Sequence, residues 1–535
     1  MSQPPLSASQ RYHEFTKYSP EGLARQTRQL DWEQQPHPYK DYPSGVGTIL
    51  PLKPYLQKLS SPEASLSPLK DIPTPAEEPL SEMALWQRQR LSQFLFFSYG
   101  VTLIVPNFAR PFYMRSAPSA GGLYPAEVYV VSRGSAGISA GLYNYQVRSH
   151  SLIRFWDDSR WELLQGGCFQ TELFQETSLV VITTAVFFRS EWRYEDRAYR
   201  RICLDTGHLL GNIELAANLT GYRAAQVGGF YDHQLDSLLF LDEQTEGVMT
   251  VLPLLDLWRD PYPLDSPSAV VEIPTAVTAL PSPIVRQIPD LSTGQWLSFL
   301  HQASQLTPQT EISLATEPLP NAGDKYNFPF CLKLSTATEP IHWGEHLQYL
   351  VQSLLTRRST RQFTGADIEM GDLLALLDFT YHPEHYEAQG LDPQPDYFDL
   401  SMIETFIVVN GVKGLEVGCY YYAPHPQELR QIRFKNFREE VCYLCLGQDL
   451  GRDAGAVVVH TADLRQAVSR YGERAYRYLH MDAGHLGQRL NVAATRLGLG
   501  VSGIAGFFDD QVNEVLGIPL TEAALYITTL GCRSD

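Results

Sequence analysis

Two long stretches of the chain carry apolar residues at helical spacing. In one, Ala475, Leu479, Asp482, Leu486, Leu490, Ala493 and Leu497 fall on a single stripe of a helix that Gly498 ends. In the other, Ala198, Ile202, Asp205, Leu209, Ile213 and Ala216 form the same stripe, ended by Gly221. Runs rich in β-branched and aromatic residues predict strands at 127–132, 142–146, 178–187 and 248–253, and again at 405–409, 419–422, 456–460 and 524–530. These elements do not alternate as strand, helix, strand, so the pattern predicts an α+β fold rather than a doubly wound parallel sheet.

The element pattern repeats because the sequence does. Tyr194-Glu195-Asp196-Arg197-Ala198-Tyr199-Arg200 recurs as Tyr471-Gly472-Glu473-Arg474-Ala475-Tyr476-Arg477, a spacing of 277 from Tyr199 to Tyr476. Without a gap, Asp205, Gly207 and His208 fall on Asp482, Gly484 and His485, and Gly229, Phe230 and Asp232 on Gly506, Phe507 and Asp509. Glu127 falls on Glu404. Two tandem domains are expected at 1–262 and 341–535. Between them, 263–340 is rich in proline, serine and threonine and reads as a linker or covering arm, with a short helix near 296–302. The stretch 1–60, aromatic and proline-rich without periodicity, reads as an arm wrapping the first domain.

Composition narrows the class. The 535 residues are 44% hydrophobic and 19% charged, ordinary for a globular protein. A net charge of -18 argues against nucleic acid as a partner, because phosphate binding needs a basic face. The N-terminal residues lack a basic and then apolar signal, and the apolar run at 94–106 is too short to span a bilayer. A cytoplasmic protein without a membrane partner is therefore expected. Seven scattered cysteines form no disulfide framework, and the lone CxxC of Cys442 and Cys445 reads as core thiols on a buried helix.

Several motifs carry chemistry in principle. Gly498-Leu499-Gly500-Val501-Ser502-Gly503 fits GxGxxG, but it follows a helix instead of opening one, so it reads as a helix stop and flexible loop. Arg357-Arg358-Ser359-Thr360-Arg361 gathers three guanidinium groups and two hydroxyls, a phosphate cradle or a solvated turn. The small residues Pro118, Ser119, Ala120, Gly121 and Gly122 let a backbone approach a flat ligand, or form an ordinary tight loop. His208 and His485 read as helix-packing histidines, and Asp205 and Asp482 as buried acceptors of backbone amides. No metal-ligand spacing is evident.

Taken together these motifs resemble the nitroreductase superfamily, specifically its SagB-type dehydrogenase branch. The resemblance rests on Arg11-Tyr12-His13-Glu14, Leu30-Asp31-Trp32, the stretches 115–125 and 194–208, and an RRSxRxF-like opening at 357–363. It implies FMN at a dimer interface, and here the duplication would supply both protomers as an intrachain pseudo-dimer. At the spacing of 277, the loop 118–122 falls on Pro395-Asp396-Tyr397-Phe398-Asp399, which has lost its small residues, while the first copy near 77–84 has no arginine cluster.

The resemblance thus implies one hybrid flavin site. Arg357, Arg358, Ser359 and Arg361 would hold the phosphate, with Arg533 adding a contact. Pro118, Ser119, Ala120, Gly121 and Gly122 would hold the ring, beside Ala505 and Gly506. The implied activity is hydride or electron transfer through FMN N5 to or from a small organic or peptide substrate, with NAD(P)H a candidate donor and Tyr194 a candidate catalytic acid. Azoline-oxidising members carry Lys-Tyr where this chain has Arg193-Tyr194, and arginine is a poor proton acceptor. Peptide azoline oxidation and a catalytically silent scaffold are the alternatives.

Overall fold

In a computed structural model, which describes residues 5–25, 27–56, 80–106, 111–169, 172–258, 278–310 and 325–534, each copy is built on a seven-stranded sheet. Across the first sheet the order is Thr48–Pro51, Ser151–Trp156, Ala140–Gln146, Ala126–Arg133, Leu179–Val186, Glu246–Asp256 and Tyr222–Ala224. Across the second it is Lys333–Ser335, Glu428–Arg433, Gly418–Ala423, Glu404–Val409, Ala456–Asp463, Glu522–Gly531 and Gly500–Ile504. Every pairing between these strands is antiparallel. The fold is α+β, and each predicted strand is present. The expected strand 178–187 stops one residue early, because Phe187 opens the helix Phe187–Tyr194.

Two sequence readings need correction. The segment after Gly498 is not a flexible loop: Gly500–Ile504 is an edge strand paired with Glu522–Gly531. The CxxC helix Arg438–Leu444 buries only one face, with Val441 and Leu444 inside and Tyr443 half exposed. Cys445 is buried, and burial pushes its thiol up to about 12, so it is an unreactive core thiol.

The central helices Ala198–Leu219 and Ala475–Arg496 are buried on nearly every side, more than one apolar stripe implies. Each packs against its own sheet and against the other helix. They cross where Gly207 meets Gly484. A Cβ on Gly207 would lie 2.1 Å from the Met481 carbonyl oxygen, and one on Gly484 would lie 2.3 Å from that of Leu204. Only glycine allows that backbone approach, which explains the repeated Asp-x-Gly-His.

The repeated arginines serve the same contact. Arg197 and Arg200 of the first copy reach Asp509 of the second, each at 2.7 Å, and Arg474 and Arg477 reach back to Asp232 at 2.7 and 2.8 Å. All six side chains are buried. Although burial opposes ionisation, the paired guanidinium groups hold the Asp509 carboxyl below its usual range.

The N-terminal arm departs from expectation. It forms a helix, Ala8–Phe15, capped reciprocally by Ser7 and Gln10, and it docks on the second copy as well as the first. The Ser9 and Val285 amides donate to Glu473 at 2.7 and 2.8 Å, while the Tyr12 hydroxyl donates to the Asp196 carbonyl. The helix expected near 296–302 is Trp296–Ala303. Of the expected linker, 263–277 and 311–324 lie outside the described residues, as do 77–79 of the stretch 77–84. No helix among the described residues is long and apolar enough to cross a membrane.

Candidate functional site

The fold brings the two sequence-distant motifs to opposite walls of one cavity of about 580 Å3. The first copy contributes Pro118, Ser119, Ala120, Gly121, Gly122, Tyr194 and Asp205. The second contributes Arg357, Ser359, Arg361, Ala505, Gly506 and Tyr526. Neither copy encloses this space alone.

Asp205 on the central helix fixes the small-residue loop. Its carboxyl accepts the Ser119 hydroxyl and the Ala120 amide, the latter at 3.0 Å, and Ser119 in turn accepts the Tyr124 amide at 2.8 Å. Burial pushes this carboxyl up to about 7. Gly121 and Gly122 have φ of 64° and 67°, conformations that strain any residue with a Cβ. A Cβ on Gly121 would also meet the Tyr194 hydroxyl at 2.8 Å, so Tyr194 faces this loop.

On the other wall Arg357 is buried. Its Nε donates to the Ser116 carbonyl at 2.8 Å and its Nη2 to that of Arg115 at 3.3 Å, which ties the second copy to the first. Its Nη1 has no partner, and burial pushes the guanidinium down to about 10. Ser359 and the exposed Arg361 also border the cavity. A buried cation with an orphaned donor calls for an anion.

Two expected contacts are not made by the cavity lining. Arg358 turns away to donate to the Thr102 carbonyl at 3.0 Å and the Leu355 carbonyl at 3.2 Å, because its side chain leaves the opposite side of the turn. Arg533 is exposed and donates to the Leu499 carbonyl at 2.9 Å.

A sequence model of the nitroreductase family matches residues 70–253 and again 354–532. The chain belongs to the nitroreductase family. Both copies of this nitroreductase-family chain are covered, and the cavity lies between them. A crystal structure of a protein assigned to the nitroreductases, from Anabaena variabilis ATCC 29413, is 54% identical with a TM-score of 0.87, covering 99% of this chain and 100% of that one. MJ1384 of Methanocaldococcus jannaschii, also assigned to the nitroreductases, is 32% identical over 31% of this chain and 82% of its own length. The trifolitoxin-processing protein TfxB of Rhizobium leguminosarum bv. trifolii is 32% identical over 25% of this chain; the match spans 38% of TfxB.

The related position on the other side of this nitroreductase-family molecule is filled. Tyr397 stacks on His485 with ring centroids 4.3 Å apart, Phe398 stacks on Tyr478 at 4.5 Å, and Arg489 pairs with Glu214 at 2.9 Å. The segment beginning at Thr278 completes the plug. A Cβ on Gly228 would lie 1.6 Å from the Thr278 carbonyl oxygen, and one on Gly229 would lie 2.0 Å from Leu280. Among the described residues, two cavities of about 10 Å3 each border this position.

His208 is a packing histidine, as expected, but it also borders the cavity. It bonds Gln488 and the Tyr526 hydroxyl at 3.0 and 2.8 Å, and burial pushes it down to about 3, so it is neutral. Sequence reasoning missed Arg201, Asn491 and Tyr526, which also line the cavity. It also missed the grouping of His382, Glu384 and His385, whose ligand atoms lie within 4.8 Å of one another. Those histidines are already engaged, His382 with Glu384 and Tyr422 and His385 with Asp378.

Proposed function

We propose that the chain is an FMN-dependent oxidoreductase of the nitroreductase type with one flavin site, built by both copies. The observation that carries the reading is the shared cavity with the orphaned Arg357 guanidinium on one wall and the glycine loop on the other. A cavity of this size falls in the range of ligand sites, about 300–1,000 Å3. Arg357, Ser359 and Arg361 would hold the phosphate. The backbone of 118–122 and the stretch 503–506 would flank the ring. When bound, FMN supplies hydride or single-electron transfer, which no side chain here provides.

The protein's own residues then position and protect. Asp205 holds the loop through Ser119 and Ala120, and His208 holds Tyr526. Burial raises the Tyr194 phenol above its usual range, so it remains protonated at neutral pH and is available as a proton donor. The substrate would be a small organic molecule, with NAD(P)H as electron donor. Peptide tailoring is the second reading, favoured by the similarity to TfxB and opposed by Arg193 in place of a lysine. Purified protein should be yellow, should retain one FMN and should be bleached by NAD(P)H under nitrogen. Protein that takes up no FMN would overturn the reading.

A further inference from the structure

Four arginines lie in the turn and first helical residues between 193 and 201, and they divide into two pairs. Arg197 and Arg200 are spent on Asp509. Arg193 and Arg201 make no hydrogen bond or ion pair among the described residues, and both border the cavity. Arg201 is 5% exposed, and its Nη1 is buried without a partner. Its guanidinium lies over the Tyr194 ring, 3.8 Å from the centroid. Asp205 feels the Arg201 charge but makes no ion pair with it, its oxygens being taken by Ser119 and Ala120.

The second copy shows what these positions look like when nothing is to be bound. The counterpart of Arg201 is Tyr478, whose hydroxyl is satisfied by the Gly228 and Leu280 carbonyls. The counterparts of Arg193 and Tyr194 are Arg470 and Tyr471, both of which reach Asp399, at 3.4 and 2.7 Å. In the first copy the position of Asp399 is occupied by Gly122. The first copy therefore carries a buried cation where the second has a tyrosine, and lacks the carboxylate that engages the neighbouring arginine and tyrosine.

A buried guanidinium without a counter-ion is costly unless a ligand supplies the charge. We infer that Arg201, assisted by Arg193 at the cavity mouth, binds the carboxylate of an apolar-bodied organic acid that is the substrate. The inference rests on the flavin reading above. The surroundings fit such a body: a Cβ on Gly506 would meet Leu446 at 3.2 Å, Arg201 Nη2 at 3.5 Å and Tyr18 at 4.0 Å. One buried fork matches a singly charged carboxylate bidentately, with an aromatic and an aliphatic side chain beside it.

The test is equilibrium titration of the FMN-loaded protein with benzoate and with its neutral counterpart benzamide, followed by calorimetry and by the flavin absorption band. Benzoate should bind about tenfold or more tightly than benzamide, as loss of a charge-assisted contact requires. Arg201→Gln should abolish that preference while retaining the wild-type FMN content, and Arg201→Lys should restore part of it. Benzoate binding no better than benzamide, or binding unchanged by Arg201→Gln, overturns the inference. Loss of FMN from Arg201→Gln alone would assign the residue to the cofactor and overturn it too. A wild-type protein that takes up no FMN sinks the flavin reading instead, and this inference with it.

Discussion

Arg357 and Arg358 are neighbours in sequence and opposite in use. The first is buried with an orphaned donor at the cavity, whereas the second is consumed by backbone carbonyls. Replacing Ser359 by Ala removes a candidate phosphate donor and should weaken FMN about tenfold or more, since a hydrogen bond to a charged group contributes roughly 1.5–3 kcal/mol. Arg358→Ala should leave FMN affinity within about twofold while costing some stability, as its bonds are structural. Fluorescence titration of flavin against each variant separates the two. The composition of the cluster was legible in the sequence. Which guanidinium faces inward was not, because it depends on how the turn meets the other copy.

Asp205 gives a second prediction at this scale. Burial holds its carboxyl at about 7 in the folded protein, against ~3.9 when unfolded. Between about pH 4 and 7 the unfolded chain has released this proton and the folded chain retains it, so stability falls as pH rises through that window. Relative to Asp205→Asn, the wild type should lose roughly 2–4 kcal/mol between those limits. Urea unfolding of both proteins at several pH values measures this, and parallel curves would refute it. The spacing on the apolar stripe had marked Asp205 as a buried acceptor; its partners, Ser119 and Ala120, were unforeseeable from local pattern.

At the scale of elements, the duplicated motifs describe an interface more than an active site. Gly207→Val would drive a side chain into the second central helix, where even a Cβ lies 2.1 Å from a carbonyl oxygen. Such overpacking typically costs ~1–3 kcal/mol or more, and a fall in Tm without loss of secondary structure is expected. Asp509→Asn strands two buried arginines and should cost ~3–5 kcal/mol, measured by denaturant unfolding. Local patterning located the long helices and every predicted strand correctly in type. It read 498–503 as a loop because three glycines, Gly498, Gly500 and Gly503, obscure the strand signal. There glycine serves packing: a Cβ on Gly503 would lie 1.7 Å from the Tyr526 hydroxyl.

For the whole molecule the decisive property is asymmetry within a repeated architecture. Saturation with FMN should give one flavin per chain, since the second position is occupied by Tyr397, Phe398 and the stretch at 278–280. A ratio near two after gel filtration would refute this. The repeat, the α+β class and the two complementary motifs were all determined by the sequence alone, because periodicity and a constant spacing survive without coordinates. Only the tertiary structure decided that Arg357 and the loop 118–122 share a cavity, that Arg358 and Arg533 do not line it, and that Arg201 stands there unpaired. The reason is physical. Which buried charges find partners is settled by contacts between residues hundreds of positions apart, and those contacts exist only once the two copies have packed together.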